Sequence, residues 1–166
     1  MSAVLPHYKS GPANYQAATL IYGGQFVQPN ASVAGSTDYT VTLALSASVT
    51  VLGVAGADGN TVTPQTAAAN SYGQPQIDIS VLQDYVPVWY GPADIWVWYA
   101  GAVVPGKKLI IGGANNGTVV SAGAGPASDQ VVAICTHPGG VSAGMLTQQI
   151  GGQGSAAYFL GRARLV

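Results

Sequence analysis

Charged side chains are so scarce in this chain that they limit what it can fold into. Of its 166 residues, 7% are Asp, Glu, Lys or Arg, and none is Glu, whereas soluble proteins average about 25%. Surface helices use Glu, Lys, Arg and Gln on the side that faces solvent. Here Thr, Ser and Asn must supply most of the polar surface, and these residues suit strands and turns. The shortage of charge therefore favours an all-β fold.

Length and hydrophobic content predict a folded domain. A chain of 166 residues that is 48% hydrophobic can bury a core of normal size. Short β-branched or alternating stretches recur between turn signals such as Asp58-Gly59, Pro105-Gly106 and Asn115-Asn116-Gly117. We therefore expect a single compact β-sandwich or β-barrel domain over residues 18–166. Its strands are predicted at 18–28, 39–45, 48–55, 61–63, 77–81, 85–90, 95–104, 109–111, 118–121, 130–136 and 156–166.

The first seventeen residues differ from the rest of the chain. Residues 1–17 show no clear hydrophobic period, and Pro6 and Pro12 prevent a continuous helix. This pattern predicts an extended N-terminal arm.

A weak internal similarity raises the alternative of two similar β halves, about 18–65 and 95–166. Residues 22–29 precede 51–56 much as residues 99–105 precede 131–135. In each case a strand containing glycine is followed by a turn and then by an apolar strand. Recurrent β architecture produces the same pattern, so the sequence leaves both interpretations open.

Charge and cysteine content exclude several classes of protein. The net charge of −1, with Lys107-Lys108 as the main basic cluster, gives no footprint for nucleic acid. Cys135 is the single cysteine, so no intrachain disulfide forms. The most apolar window, 86–104, is interrupted by proline, glycine and Asp94, which makes it a poor membrane span. Residues 1–17 lack the layout of a signal peptide, so we expect synthesis in the cytoplasm and no membrane partner.

Three motifs resemble catalytic or cofactor sites, but each lacks a required part. Gly140–Gly144 has the G-x-S-x-G pattern around Ser142, but no acid or His follows it. Gly101–Lys108 approaches a P-loop, with Lys108 where Ser or Thr would bind Mg²⁺. Cys135 and His137 share a strand face as a conceivable dyad, but a cysteine in an apolar run is usually a core residue.

The remaining candidates for chemistry are few. The six Asp residues include no pair that the sequence singles out, and two His with one Cys do not readily complete a zinc site. We therefore expect no enzymatic activity, no catalytic residue, no cofactor and no metal.

Trp89, Trp96 and Trp98 lie in the densest aromatic segment. Trp96 and Trp98 share one face of the predicted strand. Three interpretations are open: an aromatic core layer, a subunit interface, or a platform on which sugars stack.

The order of several short motifs resembles the small head decoration proteins, or capsid cement proteins, of tailed bacteriophages. The motifs are Val51-Leu-Gly-Val-Ala-Gly-Ala-Asp58 after a Gly-Gly-Gln-Phe-Val strand, Ala100-Gly-Ala-Val-Val-Pro-Gly-Lys-Lys-Leu109, Asn116-Gly-Thr-Val-Val120 and Val131-Val-Ala-Ile-Cys135. The resemblance spans residues 18–136 and the closing strand. The Trp-rich centre and the 17-residue lead depart from that pattern.

The resemblance implies a structural virion protein, a minor capsid protein that binds and stabilises the outside of the major capsid shell. Its expected partners are the major capsid protein and itself, as a homotrimer. We expect the arm to contact the capsid through Pro6, His7, Tyr8, Lys9 and Tyr15, and the subunit interface to include Trp89, Trp96 and Trp98. The alternatives are a tail- or fibre-associated virion protein and a carbohydrate-binding module that uses the Trp96/Trp98 face.

Overall fold

The computed structural model describes residues 11–30, 40–46, 48–59, 85–127, 130–142, 147–148 and 158–166. These residues form strands and turns without an α-helix, which confirms the all-β prediction. The strands are, in chain order, β1 (Gly11–Ala17), β2 (Phe26–Pro29), β3 (Thr40–Leu43), β4 (Gly53–Ala55), β5 (Tyr85–Tyr90), β6 (Asp94–Tyr99), β7 (Lys108–Ile111), β8 (Val119–Ser121), β9 (Ala133–Cys135), β10 (Thr147–Gln148) and β11 (Tyr158–Leu165). No described segment forms a helix long and apolar enough to span a membrane.

Strands β1 to β5 form a closed barrel in the order β1-β3-β2-β4-β5, called the first barrel below. β1 closes it by pairing in parallel with β3 on one side and antiparallel with β5 on the other. Small and β-branched side chains fill its interior, because a barrel of five strands has little room inside. The buried residues of this core are Ala17, Ile21, Val27, Val41, Ala55, Val86 and Val88.

Strand β1 shows that the predicted arm was wrong for residues 11–17. Gly11 to Gln16 pair residue by residue with Tyr90 to Tyr85, and Tyr15 packs half-buried against the barrel core. Tyr15 is therefore part of the first barrel and not of an extended arm. The other arm candidates, Pro6, His7, Tyr8 and Lys9, lie outside the described residues, as do the strands predicted at 61–63 and 77–81.

The second half of the chain forms a six-stranded sheet in the order β10-β11-β6-β8-β7-β9. Because β9 also pairs with β11, the strands β6, β8, β7, β9 and β11 form a closed circuit of pairings. We call these five strands the second barrel, to which β10 adds a short strand beside β11.

The two barrels share one pairing scheme. In each barrel the first strand pairs in parallel with the third and antiparallel with the fifth. The second strand pairs antiparallel with the third and the fourth, and the fourth pairs antiparallel with the fifth. Strands β1, β2, β3, β4 and β5 therefore correspond to β6, β7, β8, β9 and β11.

The residue register is also the same in both barrels. Val27 pairs with Leu43, as Leu109 pairs with Ser121. The Gly24 N–H donates a hydrogen bond to the Ala55 carbonyl at 2.7 Å, and the Gly106 N–H donates to the Cys135 carbonyl at 2.8 Å. Both glycines have positive φ, 91° and 77°, which other residues rarely adopt.

The structure is thus a tandem repeat of one five-stranded unit, at 11–90 and 94–165. These bounds differ from the halves at 18–65 and 95–166 considered from the sequence. The shift arises because β1 belongs to the first unit and pairs with β5, far along the chain.

A common core joins the two barrels. Phe26, Ala44 and Val54 of the first barrel lie in one buried cluster with Val97 and Tyr99 of the second. The turn at 115–117 inserts between β2 and β3. Its Gly117 carbonyl accepts a hydrogen bond from the Phe26 N–H at 2.7 Å, and its own N–H donates to the Ala44 carbonyl at 3.2 Å. The barrels therefore pack as one body at this place.

Candidate functional site

A cleft of about 1010 Å³ lies among the described residues, and we call it the tryptophan cleft. One wall belongs to the first barrel and the other to the second. The first wall contains Gly23, Gly24, Ala55, Gly56, Ala57, Asp58 and Trp89; the second contains Asp94, Ile95, Trp96, Trp98, His137 and Leu160. The cleft holds all three tryptophans of the chain.

Trp98 fixes the floor of the cleft. Its indole N–H donates to the Gly23 carbonyl at 2.8 Å, and its backbone N–H donates to the Gly24 carbonyl at 3.2 Å. A side chain at Gly24 would lie 3.1 Å from the Trp98 ring, so the glycine allows this close approach. Trp98 is 5% exposed. It is therefore a core residue that ties the two barrels together.

Trp89 and Trp96 present their rings to solvent, at 37% and 52% exposure. The Trp89 ring lies over Gly56, where an added Cβ would come within 2.7 Å of the indole nitrogen. Trp96 contacts the His137 ring edge to face, with centroids 5.8 Å apart and an interplanar angle of 61°. Glycine on one wall and an imidazole on the other therefore position two partly exposed indoles.

Polar groups surround these two rings. Asp58 accepts a hydrogen bond from the Gly23 N–H through Oδ1 at 2.7 Å and is otherwise exposed. Asp94 accepts a hydrogen bond from the Thr136 hydroxyl at 2.7 Å. Arg162 and Arg164 each place a guanidinium nitrogen 3.7 Å from Asp94 Oδ2. These exposed pairs balance the Asp94 charge and add little stability.

His137 uses one of its two ring nitrogens in a hydrogen bond within the protein. Its Nδ1 accepts a long hydrogen bond, 3.4 Å, from the Arg162 backbone N–H. The neutral imidazole therefore carries its proton on Nε2, as this hydrogen bond requires an acceptor at Nδ1. Within the described part of the chain, no group pairs with His137 Nε2 or with the indole N–H of Trp89 or Trp96.

Comparison of the two barrels shows that the cleft tryptophans are not part of the repeated pattern. In the shared register Trp89 corresponds to Arg164, and Trp96 and Trp98 correspond to Asn14 and Gln16. No aromatic residue occurs at the counterpart of any cleft tryptophan. The fold that the two barrels share therefore does not explain the tryptophans, which all lie where the two barrels face each other.

The three tryptophans named from the sequence are thus brought together, but their roles separate. Trp98 is buried within its own chain, which removes it both as a subunit-interface residue and as half of an exposed Trp96/Trp98 platform. The second exposed tryptophan of the cleft is Trp89, on the wall opposite Trp96. Asp58, Asp94 and His137 were not predicted as site residues. Asp94 lies two residues before Trp96 on β6, so strand alternation could have indicated it. Asp58 and His137 reach the cleft only through the long-range pairing of the barrels.

The motifs considered for catalysis are placed as follows. Lys107 follows the Gly106 turn and leads into strand β7, so no helix N-terminus is available there for phosphate. Cys135 is buried in the core and contacts Tyr99. Val141, beside Ser142, pairs with Val103 in an isolated bridge. Among the described residues, no group of three or more His, Cys, Asp or Glu could hold a metal ion.

No protein-family model matches this chain, and no curated protein is similar to it in sequence.

Proposed function

We propose that this protein is a structural virion protein that binds the outside of a tailed-phage capsid shell and stabilises it, as a homotrimer. The charge-poor surface carries the proposal. Soluble domains usually need many charges to stay apart, and a surface with few of them suits a protein that is covered by neighbours.

The distribution of charge in the structure supports this view. The described charged residues are Asp58, Asp94, Lys107, Lys108, Arg162 and Arg164. Three of them form the single Asp94 cluster. Large hydrophobic side chains are exposed elsewhere, including Leu20, Leu45, Val49 and Val104 at 43% to 58%. Single exposed apolar residues are common. Val104 lies in the same turn as Lys107, but no described residue within five positions of Leu20, Leu45 or Val49 is charged.

The tandem repeat suits attachment at many points. Each chain offers two rigid barrels of one design, and a homotrimer would multiply these surfaces under closed symmetry. Several weak attachments on one particle give strong overall binding without any single strong contact. A shell bound in this way resists outward pressure on its subunits.

Capsid binding is tested by co-sedimentation of the purified chain with empty capsids of its own virus, with the mass in solution measured by sedimentation velocity. We expect a trimer in solution, saturable binding, and capsids that survive higher temperatures when coated. A monomer that leaves capsids unchanged would overturn the proposal. Gold labelling of virions separates the alternative, since label on the tail would assign the chain to a tail or fibre.

A further inference from the structure

We propose that the tryptophan cleft binds a neutral oligosaccharide. This inference goes beyond the capsid-binding role and does not depend on it. It rests on the two exposed rings, on the hydrogen-bonding groups around them, and on the contrast between the two barrels.

The exposed rings define the apolar part of the site. Trp89 and Trp96 lie on opposite walls of one cleft, held by Gly56 and His137. The C–H face of a pyranose ring is apolar and flat, so it stacks on an indole, as other apolar faces do. Two indoles in one cleft therefore offer stacking surfaces to more than one sugar ring.

The polar groups define what the ligand must carry. The indole N–H groups of Trp89 and Trp96 and His137 Nε2 are donors, whereas the Asp58 carboxylate is an acceptor. A ligand that satisfies both kinds of group must donate and accept hydrogen bonds over a short distance. Sugar hydroxyls do both. A proline-rich peptide offers carbonyl acceptors but few N–H donors, so it would leave Asp58 unmatched.

Charge and size narrow the class further. The cleft lining contains two carboxylates, Asp58 and Asp94. Arg162 and Arg164 lie beside Asp94 and balance its charge, so Asp58 is the uncompensated charge of the lining, and it disfavours phosphorylated, sulfated or acidic sugars. Its volume of about 1010 Å³ is at the upper end of the range for small-molecule sites, about 300–1,000 Å³. The site therefore fits an oligosaccharide better than a single sugar.

The tandem repeat argues that this arrangement serves a ligand. Both barrels fold on the same register, although Asn14 and Arg164 stand where the opposite barrel has Trp96 and Trp89. Exposed tryptophans are thus not needed for the barrel to form. Trp98 has a structural task, since it bonds to Gly23, but Trp89 and Trp96 have no such partner among the described residues.

The experiment titrates the full-length chain with neutral tetrasaccharides of glucose and of N-acetylglucosamine, in several linkages, by calorimetry and by tryptophan emission. We expect at least one to bind and to change the emission. Trp89→Ala and Trp96→Ala should each weaken that binding about tenfold or more. Tyr85→Ala removes an exposed aromatic that does not line the cleft, and it should leave the affinity unchanged.

Asp58→Asn tests the need for an acceptor. Its side-chain oxygen can still accept from the Gly23 N–H, but the second carboxylate oxygen becomes a donor, so the affinity should fall. Circular dichroism of each variant checks that the fold is kept.

Three results would overturn the proposal. The first is that none of the neutral oligosaccharides binds. The second is that a proline-rich peptide binds to the unmutated chain and that this binding is lost in Trp96→Ala. The third is that Trp89→Ala and Trp96→Ala turn an oligomer into a monomer, which would assign the rings to a subunit interface. Capsid binding is measured separately, so failure of one proposal leaves the other standing.

Discussion

Tyr99 shows how one polar group is accommodated in the shared core. Its side chain is fully buried, and its hydroxyl donates to the Arg162 carbonyl at 2.8 Å. Burial raises the pKa of Tyr99 far above its ordinary value, and the neighbouring Cys135 thiol raises it further. The ring therefore stays protonated in the folded protein at pH values where an unfolded tyrosine ionises.

This difference predicts how stability changes at alkaline pH. Because the pKa of Tyr99 is higher in the folded state, its contribution is complete below about pH 10 and is lost as the pH rises above that value. Tyr99→Phe should reduce the alkaline loss of stability and cost about 0.5–1.5 kcal/mol at neutral pH, where the hydrogen bond is lost. Urea unfolding from about pH 8 to about pH 11 measures both effects. Parallel pH curves for the two proteins would contradict the assignment.

The sequence predicted that tryptophans form the candidate site, but it could not predict which of them are exposed or which other residues join them. The spacing of Trp96 and Trp98 gives the same strand face, and both do line the cleft. Their exposure differs because Trp98 lies opposite the Gly23 carbonyl of the other barrel. Trp89, His137 and Asp58 come from other strands and turns. No local pattern in the sequence indicates that these residues meet.

Strands with clear alternation or β-branched content were predicted closely. Tyr85–Tyr90 has the predicted bounds, and Lys108–Ile111 begins one residue early. The turn at Asn115-Asn116-Gly117 joins two antiparallel strands as expected, with positive φ at Asn115 and Gly117. These elements are set by local preferences, which a single sequence contains.

β1 was missed because its stability is not local. Gly11-Pro12 begins the strand, and neither residue favours an extended ladder by itself. Pairing along β5 and with Val41 of β3 makes it a strand. Of the internal similarity seen in the sequence, the match of residues 51–56 with 131–135 agrees with the register, since Val54 and Ile134 occupy equivalent positions. The match of residues 22–29 with 99–105 was wrong, because Gly24 corresponds to Gly106. Few identical residues mark the rest of the repeat, because barrel pairing constrains the backbone more than the side chains.

The role of β1 predicts two different results for truncation. Deletion of residues 2–10 leaves every strand of the first barrel in the chain, so we expect a cooperative thermal transition with an unchanged β-type circular dichroism spectrum. Deletion of residues 2–17 removes the strand that closes the barrel between β3 and β5, so we expect that transition to be lost. If the longer deletion unfolds like the intact chain, β1 is not needed for closure. Capsid occupancy of the shorter deletion then tests Pro6 to Lys9 as contacts.

At the scale of the whole molecule, the two barrels are alike in fold and unequal at their contact. Phe26 is buried between the barrels, whereas its counterpart Lys108 is exposed. At the position of Phe26 the first barrel therefore packs against the second barrel. At the equivalent position the second barrel exposes the charged side chain of Lys108 to solvent. This resembles the terminal unit of a repeat protein, whose outer face is polar.

A shared core also predicts that the two barrels unfold together. Phe26 is 1% exposed and packs in the cluster that includes Val97 and Tyr99, so Phe26→Ala should lower the free energy of unfolding by about 3–5 kcal/mol. Calorimetric and van't Hoff enthalpies should agree, as for one cooperative unit. Val104→Ala, at a position that is 57% exposed, serves as the control and should change little.

The coupling between the two barrels is measured in the second barrel, because the Phe26→Ala substitution lies in the first. Cys135 is buried there, so a thiol reagent labels it only when that barrel opens. In Phe26→Ala the urea midpoint for Cys135 labelling should fall together with the midpoint for tryptophan emission, because loss of the first barrel exposes the core of the second. Labelling that keeps the midpoint of the unmutated chain would show instead that the second barrel is stable alone, and that the contact through Phe26 joins two independent domains.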